Sequence, residues 1–105
     1  DFTHYGVLYG YTPAGTKPLE KVLKWIYETD NLMIEAITSL DAKRLITIVH
    51  KNNYTMCGYL PVATTIIASK RLGATKGRLL KYATSYDVQG STDAIVGYAS
   101  IIIER

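Results

Sequence analysis

From Asp93 to Glu104 the chain reads DAIVGYASIIIE, and both of its alternating faces carry apolar side chains. Ile95, Gly97, Ala99, Ile101 and Ile103 share one face; Ala94, Val96, Tyr98, Ser100 and Ile102 share the other. A strand with one wet face would alternate apolar with polar, so this run predicts a strand interior to a sheet. Gly97 and Ala99 leave a shallow place on the first face where a helix can lie close. Leu19, Val22, Leu23, Ile26 and Tyr27 recur at helical spacing, with Glu20, Lys21, Lys24 and Glu28 on the other side. This amphipathic stripe predicts a helix over about residues 17–29, with Thr16 as N-cap, Pro18 in its first turn and Trp25 at its edge.

Period-two patterning predicts further strands at residues 2–11, 44–50 and 78–87. Residues 32–40 could continue the helix, but their Ile and Thr content and the turn before them favour a strand. Asp30-Asn31, Asp41-Ala42-Lys43 and Lys51-Asn52-Asn53 read as turns between them. Pro61 opens and Gly73 closes a second helical stretch, with Val62, Ile66, Ile67 and Leu72 as its buried members and Lys70 and Arg71 at its negative end. Residues 54–60 suit either a strand or the lead into that helix. Val88 to Thr92 reads as a hairpin loop. The order β-α-β-β-α-β-β predicts one α+β domain over 1–105, a two-layer sandwich with a mainly antiparallel five-stranded sheet and two helices on one face.

The composition, 48% hydrophobic and 20% charged over 105 residues, suits one ordinary core and excludes disorder. No apolar run approaches bilayer length, and no basic segment followed by an apolar one marks a signal peptide. The start at Asp1 rather than Met reads as processing. Charge is uneven: residues 42–86 hold Lys43, Arg44, Lys51, Lys70, Arg71, Lys76, Arg78 and Lys81 with no acid, whereas all nine acids lie outside that segment. Such a surface can steer a partner or pair one copy with the next.

The tightest cationic cluster, Lys70, Arg71, Lys76, Arg78 and Lys81, surrounds a glycine loop whose amides could hold an anion; the alternative is a solvated helix end. The loop lacks the GxxxxGK[ST] spacing of a nucleotide site, and the RNA-recognition aromatic motif and GXXG loop are missing, which argues against nucleic acid.

Catalytic chemistry finds little support. Cys57 and His50 lie near one turn and could form a nucleophilic couple, but no carboxylate orients them, so a buried cysteine and a surface histidine are expected. His4, His50 and Cys57 are too scattered for a recognised zinc pattern, so neither a metal nor another cofactor is expected. Glu35, Asp41 and Asp87 read as surface acids. Cys57, the lone cysteine, could bond only to another chain. Tyr5, Tyr9, Tyr11, Tyr82, Tyr86 and Tyr98 either line an uncovered, partner-binding sheet face or fill the core and its rim.

The stripe Leu19–Tyr27, the Pro61–Gly73 helix, the closing hairpin Arg78–Glu104 and the start at Asp1 together resemble the small α/β-sandwich killer toxins encoded by fungal double-stranded RNA viruses. The resemblance is one of architecture and matches no motif residue. Taken with the start at Asp1, the missing catalytic set, the basic middle and the Tyr-rich strands, it leads to the expectation of a secreted, non-catalytic, toxin-like protein acting on a cell-surface receptor or membrane target through its basic and tyrosine-rich surface. A self-assembling structural oligomer and a small anion- or nucleic-acid-binding protein using the Lys70–Lys81 loop are the alternatives. Light scattering separates the first two.

Overall fold

The computed structural model describes residues 1–105. Strand β1 is His4–Tyr5, followed by a 3-10 turn at Val7–Tyr9. Helix α1 runs Leu19–Thr38, α2 Ala42–Asn52 and α3 Tyr59–Arg71. Strand β2, Lys76–Thr84, leads through the short helix α4, Ser85–Gln89, into strand β3, Ile95–Glu104. The sheet order is β1-β3-β2, antiparallel throughout, with His4 opposite Val96, Tyr82 opposite Ala99 and Arg78 opposite Ile102. The C-terminal strand is central, as its two apolar faces predict. The rest of the expected sandwich is overturned: three strands and four helices replace five strands and two helices.

The expected strand over 32–40 is the second half of α1. Val22, Ile26, Thr29, Asp30, Met33, Ala36 and Ile37 are all buried at helical spacing, so one stripe passes straight through Asp30-Asn31. That pair reads as a turn by residue type, yet Asp30 has buried partners and the Asn31 amide donates to Glu35 one turn on (3.3 Å). Pro18 rather than Thr16 occupies the N-cap position.

Helix α1 ends in a Schellman motif with a leucine where glycine is usual. Leu40 takes the left-handed conformation (φ 56°), its N–H donates to the Ile37 carbonyl (2.9 Å), and the Asp41 N–H donates to that of Ala36 (2.9 Å). Leu40 is buried in the core, which offsets the backbone cost. The next residue, Asp41, caps α2 by accepting from the Arg44 N–H (3.0 Å). The expected strand at 44–50 is therefore helix. Leu45 and Val49, read as neighbours on a strand face, are also i and i+4, and both are buried. Their β-branched surroundings misled because burial outweighs intrinsic propensity.

The second helix forms near its expected place, as α3, and Gly73 stops it with φ 97° and a second Schellman pair. Its buried face is Ala63 and Ile66, whereas Ile67 and Leu72 are exposed. Residues 54–58 are loop, and α3 starts at Tyr59. The strand expected at 78–87 forms as β2 but stops at Thr84, which makes a capping box with Asp87 to start α4 in place of a simple hairpin loop. Of the strand expected at 2–11 only His4–Tyr5 joins the ladder, since Gly10 turns left-handed after the 3-10 turn.

The main core joins Met33, Ile34, Ala36, Ile37 and Leu40 of α1 and its end to Leu45, Val49, Met56 and Ile66, with Ala99, Ile101 and Ile103 of β3 against them. Each fully buried member contributes about 1.5–3 kcal/mol. A smaller core gathers Tyr5, Val22, Ile26 and Ile95. Strand β2 comes so close to α1 that a Cβ on Gly77 would lie 2.8 Å from the Thr38 Cα.

Candidate metal centre

The backbone of residues 2–5 is held on two sides. Along β3, the Phe2 N–H donates to the Gly97 carbonyl (2.7 Å) and the Gly97 N–H to that of Thr3 (3.0 Å). From the other side comes the loop after α2, where Asn53 turns left-handed (φ 54°) and the Tyr54 N–H closes on the Val49 carbonyl (3.1 Å). The Thr55 hydroxyl in this loop accepts from the His4 N–H (2.8 Å), and buried Met56 anchors it in the core.

These constraints place a proton on the His4 Nδ1. Its Nδ1 lies 2.9 Å from the Phe2 carbonyl oxygen and 3.1 Å from that of Thr55. Carbonyls only accept, so Nδ1 carries the proton and donates to both. In the neutral ring the lone pair is then on Nε2, as in metal-binding histidines whose other nitrogen is held by a backbone carbonyl. The Tyr9 ring stands edge-on against this imidazole, 5.3 Å between centroids.

Asp1, His4 and Cys57 come together at this point. One ligand atom from each lies within 4.8 Å of the other two. Bonds of about 2.0–2.3 Å to oxygen, nitrogen and sulfur hold donors roughly 3–4 Å apart around a first-row ion, so the group needs only a small contraction. Asp1 and Cys57 are exposed and can close it by side-chain rotation, while the better-held His4 sets its place. A carboxylate, an imidazole and a thiolate on one side of an ion suit a transition metal and leave coordination positions open. An apolar recess of about 250 Å³ lies beside Asp1, walled by Phe2, Ile37, Met56, Val62 and Ile101.

Behind this strand sits Asp30, fully buried in α1. Its Oδ1 accepts from the Thr3 N–H (3.0 Å) and the Thr3 hydroxyl (2.6 Å), and its Oδ2 accepts from the Tyr82 hydroxyl. Burial pushes its carboxyl above the ordinary carboxylate range, against the lowering effect of the Thr3 and Tyr82 hydrogen bonds. Burial and the neighbouring Asp30 carboxylate keep the Tyr82 phenol protonated. Gly97 lies directly over Asp30, where a Cβ would overlap the carboxylate.

Sequence reasoning set His4 and Cys57 aside as too scattered and passed over Asp1. Helices α1 and α2 separate the two ends of the cluster in the chain, so no local spacing marks it. His50 does not join it; its ring shares a 2.6 Å hydrogen bond with the Tyr59 hydroxyl. Cys57 is exposed, contrary to the buried position expected of it.

The basic loop is partly neutralised: Glu104 pairs with Lys76 (3.8 Å) and Arg78 (3.3 Å). Lys70 and Arg71 end α3, and Lys81 stands exposed on β2. The six tyrosines do not form one face. Tyr5 is core, its hydroxyl donating to Gly15 and accepting from Ala14, and Tyr82 faces Asp30. Tyr11 meets Trp25, Tyr86 edges the smaller core, and Tyr9 and Tyr98 are exposed.

Comparison with known proteins identifies the lineage. The model of the Memo-like protein family matches residues 1–102. Over its whole length the chain is 44% identical to a MEMO1 family protein of Methanopyrus kandleri, covering 32% of it. It is 40% identical to one of Thermococcus kodakarensis, covering 36%. Over 99% of its length it is 41% identical to one of Methanosarcina barkeri, covering 34%. The chain thus spans about a third of the length of the curated relatives it matches.

These matches overturn the resemblance to viral killer toxins, and with it the expected toxin function and the secretion that rested on it. The expectation of a non-catalytic protein, tied to that reading, falls with it. On the match across residues 1–102 and these identities, the chain belongs to the Memo-like family.

Proposed function

We propose that Asp1, His4 and Cys57 supply one side of the metal centre of a dioxygenase-like enzyme. The observation that carries this reading is the meeting of the three ligand atoms within 4.8 Å, with the His4 Nδ1–H committed to two carbonyls. A bound first-row transition ion would supply redox and Lewis-acid chemistry to a substrate at its open positions. His4 offers a fixed nitrogen, Cys57 a soft anionic sulfur that strengthens the hold on such an ion, and Asp1 a carboxylate at the rim. The apolar recess beside Asp1 gives an organic substrate a dry wall next to the ligands. The chain covers about a third of its relatives, so further ligands and substrate contacts would come from the rest of such a protein.

Cobalt(II) titration of the chain tests the reading. A thiolate-to-cobalt absorption band should appear, vanish in Cys57→Ser, and need roughly 10-fold or more cobalt in His4→Ala. A parent chain that develops no such band refutes the site.

A further inference from the structure

We propose that Asp30 is a positioning residue for the Asp1–His4–Cys57 centre, a role that rests on the reading of that cluster as a metal site. Thr3 lies between Asp1 and His4 in the chain, and both its N–H and its hydroxyl end on one oxygen of the Asp30 carboxylate (3.0 and 2.6 Å). The same short segment is held by Gly97 on the β3 side and by Thr55 on the loop side. Asp30 provides the third hold, from the helix beneath. It fixes how far the segment stands from α1 and how it is turned, and so where the Asp1 and His4 side chains start.

Helix-to-strand contact alone does not call for a carboxylate. A buried ion is costly, and well-packed apolar residues in such a place commonly give equal or greater stability. What the carboxylate adds is direction: it ties one peptide N–H and the adjoining hydroxyl to a single point. The bareness of Gly97 makes room for that group. Tyr82 holds the other oxygen and shares no hydrogen bond with Thr3, so the two halves of the network can be separated by mutation.

The experiment compares cobalt(II) binding by the parent chain, Asp30→Asn and Tyr82→Phe, each at a temperature where circular dichroism shows it folded. Asp30→Asn keeps the side chain's volume, weakens acceptance from both Thr3 donors, and should lower cobalt affinity about 10–100-fold with an altered thiolate–cobalt spectrum. Tyr82→Phe leaves both Thr3 bonds in place and should lower the melting temperature while keeping the parent's affinity and spectrum. Parent-like affinity and spectrum in Asp30→Asn would overturn the positioning role while leaving the metal centre intact. Equal weakening by both variants would overturn it as well, because the effect would then be general loosening. A parent chain that binds no cobalt removes the centre and this role together.

Discussion

Replacing Gly97 with alanine probes the contact between β3 and the buried carboxylate of α1. The backbone at Gly97 has no positive φ, so alanine adds no conformational strain there. Its Cβ would overlap the Asp30 carboxylate and stand 3.0 Å from the Tyr82 hydroxyl oxygen. Both groups lie in packed surroundings, so the carboxylate must move or the strand must lift. Three hydrogen bonds to Asp30 are at stake, and bonds to charged groups are worth about 1.5–3 kcal/mol each. A buried charge stripped of partners costs about 3–5 kcal/mol, and we expect Gly97→Ala to approach that range. Against a typical domain stability of about 5–15 kcal/mol, the variant should lose a large share of its stability. Urea denaturation measures this directly. The pair Gly97→Ala with Asp30→Ala should cost clearly less than the two singles added, because the clash needs the carboxylate. A loss under about 0.5 kcal/mol for Gly97→Ala, the range of a surface change, would refute the reasoning.

Two further outcomes follow from the packing. Leu40→Gly relieves a left-handed leucine, worth about 1 kcal/mol, but removes a buried side chain worth about 2–5 kcal/mol, so a net loss of about 1–4 kcal/mol is expected on denaturation. A stabilised variant would show that the Leu40 side chain does not anchor the α1–α2 corner. Because the Asp30 carboxyl is raised above its ordinary 3.8, the native state keeps a proton that the unfolded chain releases between that value and the raised one. The Asp30 contribution is therefore fully present below pH 3.8 and is lost as pH rises through the raised value. Asp30→Asn should remove that part of the pH dependence in a series of urea titrations, and an unchanged slope would refute it.

Periodicity revealed the central strand, the first half of α1, α3 and most of β2, because each has a single dominant repeat. It failed where two repeats coexist. In RLITIVH the alternation of Leu45, Thr47 and Val49 is as regular as the helical pair Leu45 and Val49, and only the Asp41 cap and the packing against α1 decide between them. Residues 32–40 were misread because Asp30-Asn31 has the composition of a turn. A buried aspartate at a core-facing helix position becomes interpretable only when Thr3 and Tyr82 are seen around it. The stop at Leu40 was hidden by a residue that rarely ends helices. The Asp1–His4–Cys57 cluster left no local trace, since its members come from residues 1–4 and from a loop beyond two helices. Nothing in the sequence indicated which loop would face His4.

The double tie between His4 and Thr55 links ligand capture to folding. The strand and the loop lie 51 residues apart in the chain, so the donor set comes into being only when these distant stretches meet. An ion that favours the assembled set draws the whole population toward the native state, by an amount that grows with the logarithm of its concentration above its dissociation constant. Under the proposed reading, loading and conformational stability would be two expressions of one equilibrium, and depletion of the ion would lower the population of folded molecules.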